Sequence, residues 1–270
     1  REAEAVAEAV RAAEVRREAA TRLASETARA PERETAQREQ LRLEALVEAV
    51  ARLAQAEAER SAREQAAKGF VALKTGIGGP RPARVVESPA FVENVAERFA
   101  AMRAGAGKEV DIAIDFHGAV SPQTSALLIK ALEPFQPLFI EEPVQCQNVD
   151  VLADLARRTH VPIATGERLY TKWGFREVLE KRAASILQPD ISHCGGIFEG
   201  RLIAGMAETY YAAIAPHCPL GPVALAACLQ VDAAIPNFLA QEHVTLGEGY
   251  LKVPFQLVDG YLPLPEVPGL

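Results

Sequence analysis

From residue 69 onward, short apolar stretches alternate with longer segments in which apolar residues return every three or four positions. The stretches are Phe70 to Lys74, Val110 to Asp115, Leu138 to Glu141, Val161 to Ala164, Ser185 to Gln188, Ala212 to Ala215 and Phe238 to Ala240. Each is apolar on both faces and bounded by turn residues, as a strand buried in a parallel sheet is. The segments between them, among them Pro89 to Arg103, Thr124 to Glu133, Val149 to Arg158, Lys172 to Lys181 and Gly200 to Tyr210, carry helical periodicity. Strand and helix in alternation predict crossover connections and hence a parallel sheet, an α/β fold.

Residues 1 to 67 follow a different pattern. They contain no glycine, no aromatic residue and no aspartate, and consist almost wholly of Ala, Glu, Arg, Leu, Val, Gln, Ser and Thr. That mixture is strongly helical. Leu43, Leu46, Val47, Val50 and Leu53 form one apolar stripe, and Pro31 is expected to separate this helix from an earlier one. Such a segment is either a coiled coil or partner-binding helix, or one or two amphipathic helices lying against the main domain. It carries no sign of chemistry. The expected organisation is a helical segment over 1–67 and a catalytic domain over 68–270.

A polar residue closes each strand from the second onward: Asp115, Glu141, Glu167, Asp190, His217 and Glu242, spaced 23 to 27 residues apart. A repeat of about 25 residues is the length of one strand-helix unit, which marks a TIM-type (β/α) barrel or a doubly wound sheet. In both folds the carboxyl ends of the strands form the functional face. Any one of these residues alone reads as a helix cap or a surface charge. Several carboxylates side by side oppose folding unless positive charge sits among them. Asp115, Glu141 and Glu167 come from three successive strands, and oxygen-only ligation favours a hard cation such as Mg²⁺.

Composition narrows the remaining options. The 270 residues include 29 basic and 36 acidic side chains, a formal net charge of −7, with no basic block interleaved with aromatics, so nucleic acid is not an expected partner. No apolar run of about 18 residues and no secretory pattern is present, so no membrane is expected and a cytoplasmic location is the default. Cys146, Cys194, Cys218 and Cys228 lack zinc or redox spacing and read as reduced, packed thiols.

The motifs IDFHG (114–118), PLFIEEP (137–143), PIATGERLY (162–170), SILQPDISHCGG (185–196) and APHCPLGPVALAAC (215–228) stand in one register. Together they closely resemble the enolase superfamily in its mandelate-racemase-like branch, over roughly residues 62–270, and within it the sugar-acid dehydratases of galactonate type. The resemblance implies that Asp115, Glu141 and Glu167 ligate Mg²⁺, with Glu142 orienting the site. It implies that His217 is the general base and Asp190 the partner that raises its basicity. His117 is then the acid that protonates a leaving hydroxyl, and Glu242 hydrogen-bonds the developing enediolate. The implied reaction dehydrates a galactonate-type aldonate to a 2-keto-3-deoxy acid, and the implied assembly is a homo-oligomer.

His193, in the loop after Asp190, is open to a hydrogen-bonding or a substrate-contacting role. Lys74 ends the first strand where racemase relatives carry a Lys-x-Lys pair. Here the chain reads Lys74-Thr75-Gly76, which favours a one-base dehydratase over a two-base racemase and leaves Lys74 to contact the substrate carboxylate. The family's capping domain and first barrel strand are not evident before residue 62, and the chain closes on PLPEVPGL, short of the family's usual end. The competing readings are a dehydratase for another aldonate or an aldarate, and a metal-binding but silent barrel with an interaction helix.

Overall fold

The computed structural model describes residues 2–78 and 87–264, with the backbone alone for 2–14, 21–34 and 36. Pro265 to Leu270 of the terminal PLPEVPGL stretch lie outside the described residues. The chain divides into two compact units, Arg1–Ala54 and Gln55–Leu270. The first is the leading part of one helix, α1 (Glu2–Ala67), and its stripe of Leu43, Leu46, Val47, Val50 and Leu53 is exposed. The break expected at Pro31 does not occur, because α1 runs through it. A proline inside a helix costs about 3 kcal/mol, and the long runs of Ala, Glu, Arg and Gln on both sides favour continuation.

The second unit begins with the end of α1, where Ala62 is buried and the Gln55 side chain donates to Glu97 at 2.7 Å. There follow β1 (Ala72–Gly76), α2 (Pro89–Ala106), β2 (Asp111–Asp115), α3 (Pro122–Leu132), β3 (Ile140–Glu141), α4 (Val149–Ala156) and β4 (Ile163–Thr165). The chain continues through α5 (Thr171–Glu180), β5 (Ile186–Leu187), α6 (Gly196–Glu208), β6 (Ala213–Ile214) and α7 (Pro222–Asp232). The six strands pair in sequence order and every pairing is parallel. Beyond β6 the ladder extends by one step, with Ile214 N–H donating to Asn237 and Leu239 N–H to Ile214, both at 2.8 Å. The seventh expected strand is therefore present as a single bridge at Phe238.

Local sequence explains the helix starts. Ser88 and Ser121 each precede a proline, and each accepts from a backbone N–H three residues on, while Asn148 does the same for α4. Strand residues alternate between two apolar compartments. Ile112 and Ile114 face the helices with Phe99, Leu128 and Leu132. Ala113, Phe139, Ala164, Ile186 and Ala215 pack together on the other side of the sheet, the concave interior expected of a barrel. Lys74 on β1 touches Glu242, just past the seventh strand position, at 2.6 Å, so the sheet curls until its two ends meet. This is the parallel arrangement of a TIM-type barrel. A cavity of about 610 Å³ lies at that meeting, lined by Ala72, Lys74, Gln188, Ala240, Glu242 and His243 among others. Among the described residues no helix is long and apolar enough to cross a membrane.

Candidate active site

Asp115 and Glu141 are the last residues of β2 and β3 and are paired across the ladder. Glu167 follows the end of β4, and Asp190 and His217, past β5 and β6, are bridged to each other. Glu242 completes the ring, accepting from Cys218 N–H at 2.9 Å. All six therefore rise from one rim.

Glu167 stands between two imidazoles. One oxygen lies 3.6 Å from His117 Nδ1 and the other 3.5 Å from His217 Nε2. His117 also lies 3.2 Å from Asp115 and is 65% exposed, whereas His217 is 14% exposed and its Nδ1 is held by Asp190 at 2.9 Å. Burial disfavours a charged imidazole, yet Asp190, Glu242 and Glu167 outweigh it and raise the pKa of His217. Burial would equally raise Asp190, but hydrogen bonds from His217 and the Ser192 N–H hold it below the usual carboxylate range. The pair is thus a basic imidazole backed by a firmly ionised carboxylate, with Nε2 left facing the site. His193 is more loosely placed, its ring 43% exposed and 3.7 Å from Asp190.

The carboxylates on the other side are short of positive charge. Burial, with Asp115 adding repulsion, pushes Glu141 up to about 7, and Asp115 and Glu142 are also raised by burial. Lys74 is the nearest cation. Its Nζ lies 2.8 Å from both oxygens of Glu141 but is aligned for a hydrogen bond to Oε1 alone, which leaves the buried Oε2 without a hydrogen-bond partner. Although burial opposes its charge, Glu141 and Glu242 together raise the Lys74 pKa. Asp115, His117 and Glu167 present ligand atoms within 4.8 Å of one another. Of the expected ligands, Asp115 and Glu167 fall in this cluster with His117, whereas Glu141, with both oxygens 2.8 Å from Lys74 Nζ, does not; the crowded oxygen donors of Asp115 and Glu167 fit a divalent cation of the Mg²⁺ kind.

Other residues complete the site without having been singled out by spacing. Glu142, fully buried, accepts from the Thr165 hydroxyl and from Gly166 N–H. Gly166 has φ 148°, and a Cβ there would meet the Gln188 backbone at 2.8 Å, so only glycine lets β4 and β5 approach at this point. Arg168 reaches Glu142, Glu167 and the His117 carbonyl. The sequence signal for Arg168 was its place in the GERLY motif directly after Glu167.

Comparison with known proteins gives a consistent picture. A family model described as enolase C-terminal domain-like matches residues 56–270. Over 218 residues the chain is 44% identical to D-galactonate dehydratase of Ralstonia nicotianae and, equally, to that of Ralstonia pickettii, covering 75% of this chain and 57% of each relative. It therefore spans 57% of the length of these curated relatives. Among solved structures, a member of the enolase superfamily from Salmonella Typhimurium superposes with a TM-score of 0.76 at 28% identity, covering 80% of this chain and 58% of that one. A mandelate racemase/muconate lactonizing enzyme from Jannaschia sp. CCS1 superposes with a TM-score of 0.75 at 33% identity, covering 80% and 56%.

Proposed function

The chain belongs to the enolase C-terminal domain-like family, and from that premise we propose that it is the catalytic part of a hydro-lyase acting on a sugar acid, a galactonate-type aldonate. The observation that carries this reading is the placement of His217 and His117 on opposite oxygens of Glu167, with Asp190 behind only His217. A base and an acid on two sides of one acidic cluster are what loss of water from adjacent carbons requires.

His217 Nε2 takes the proton from the carbon next to the substrate carboxylate, while Asp190 stabilises the imidazolium that results. The substrate becomes an enediolate. Lys74, with two N–H groups engaged by Glu141 and Glu242, keeps one for the substrate carboxylate oxygens, on which the enediolate's charge gathers. His117 then protonates the hydroxyl on the next carbon, which leaves as water, and the resulting enol ketonises to a 2-keto-3-deoxy acid. Asp115, Glu141 and Glu167 would hold Mg²⁺, which would supply the positive charge that makes the carbon acid accessible.

The test is incubation with Mg²⁺ and a panel of aldonates and aldarates, scored for 2-keto-3-deoxy acid, beside His217→Asn and His117→Asn. Product from galactonate, abolished by both substitutions, is the expected result. Product from a different acid keeps the mechanism and changes the substrate. No product from any acid, with metal still bound, overturns the reading.

A further inference from the structure

We propose that Arg168 is the positioning residue for the acid half of this site, clamping the loop that carries His117, an inference that rests on the function proposed above. The His117 ring is mostly exposed, and its ion pairs among the described residues are with the flanking carboxylates Asp115 and Glu167, at 3.2 and 3.6 Å. Its backbone is what is fixed. His117 has φ 54°, in the left-handed region that is uncommon for residues other than glycine, although histidine is among those found there more often. Part of its support is local, since Asp115 accepts from His117 N–H at 2.6 Å, and the rest comes from the β3 and β4 side of the rim. Arg168 Nη2 donates to the His117 carbonyl at 2.9 Å, Gly118 N–H donates to the Glu142 carbonyl at 2.8 Å, and the Gln145 amide donates to the Gly118 carbonyl at 2.8 Å.

Arg168 is the one of these three that also bears charge. The same Nη2 lies 3.1 Å from Glu167 Oε1, the oxygen facing His117, and Nη1 lies 3.4 Å from buried Glu142. One planar guanidinium therefore ties the His117 loop, the end of β3 and the end of β4 together. A lysine, with a single charged nitrogen, cannot hold the same three acceptors in fixed directions. The space for the guanidinium is kept by Gly118, where a Cβ would come within 2.7 Å of Arg168 Nη1. His217 has none of these supports, since it is oriented by Asp190 across the site. The clamp therefore acts on the acid directly and reaches the base only through Glu167, whose other oxygen lies 3.5 Å from His217 Nε2.

The two half-reactions can be read separately. In D₂O, removal and return of the proton next to the carboxylate exchanges it for deuterium and needs His217, whereas release of water needs His117 as well. Arg168→Gln and Arg168→Lys are each expected to slow 2-keto-3-deoxy acid formation about 100-fold or more, the scale of a lost general acid, while exchange falls less than about tenfold. Added guanidinium is expected to rescue part of the rate in Arg168→Ala. Mn²⁺ affinity, measured by electron paramagnetic resonance, is expected to stay within a few-fold of wild type. Exchange and elimination falling in parallel, or a tenfold loss of Mn²⁺ affinity, would assign Arg168 to the metal site and overturn the proposal. Should the wild-type chain bind Mn²⁺ but neither exchange nor eliminate with any acid, the proposed function itself fails. The clamp is then decided by amide hydrogen exchange: faster exchange at Gly118 and Ala119 in Arg168→Gln upholds it, and unchanged exchange overturns it.

Discussion

Asp232 ends α7 with both carboxylate oxygens buried and without a hydrogen-bond partner, at the negative end of the helix. Burial, with Cys218 adding to it, raises its pKa to about 8. An acid whose folded pKa exceeds its unfolded value keeps a proton in the native state that the unfolded chain has already released. Stability is then highest below the unfolded value of about 4, falls as pH rises towards 8, and levels off above it. Asp232→Asn removes the titrating group, so we expect it to flatten this dependence and to improve relative to wild type as pH rises from 5 to 8. Urea unfolding at pH 5 and pH 8 checks this, and equal slopes for the two proteins would refute it. Asp232 ends a helix and is not one of the strand-end residues, in contrast to Asp115 and Glu141, whose raised pKa values belong to the proposed cation site. Desolvation alone thus does not mark a functional residue; convergence with other ligand atoms does.

At the scale of elements, the contact between β4 and β5 is the most demanding one. Gly166→Ala would drive a Cβ into the Gln188 backbone, which has no rotamer by which to retreat, and would hold a non-glycine residue at φ 148°. We expect a loss of about 3 kcal/mol, read as a lower urea midpoint at an unchanged slope. A midpoint within experimental scatter of wild type would show that the two strands can part cheaply. Strand positions were legible in the sequence because each run is apolar on both faces, and the helix starts at Pro89 and Val149 were legible too, whereas α3 and α6 begin two and four residues before the expected Thr124 and Gly200. Strand lengths were not legible. β3, β5 and β6 are two-residue ladders inside four-residue apolar runs, since pairing depends on where the neighbouring strand turns away. The rim carboxylates and His217 could be found from spacing alone, whereas His117 came only from the resemblance of its IDFHG motif. Arg168 and Thr165 could not, because their roles arise from contacts between different units of the repeat. Pro31 misled for the opposite reason, a strong local rule overcome by its helical surroundings.

For the whole molecule, the crowding of Asp115, Glu141 and Glu167 means that a bound divalent cation should stabilise the fold. At about a hundred times its Kd, Mg²⁺ would add about 2.7 kcal/mol, which for a domain of this size raises Tm by roughly 5–10 °C. Differential scanning fluorimetry with Mg²⁺ and after chelation is the check, with Asp115→Asn expected to abolish the shift. A wild-type Tm indifferent to Mg²⁺ would remove the cation from the proposal.

The contact between Lys74 and Glu242 has a kinetic consequence. Neighbouring strands are joined by segments of 20 to 25 residues from β2 onward, and of 34 between β1 and β2, so the sheet can grow one unit at a time from nearby partners. The two ends that this ammonium unites are 168 positions apart. Closing that span directly would cost about 1.7 kcal/mol more in chain entropy than closing one unit, and becomes affordable only after the intervening strands have shortened the path. The seam between first and last strand is therefore the final part of the molecule to form. Intermediates on the way should carry an ordered sheet while the 610 Å³ space beside that seam is still open to water.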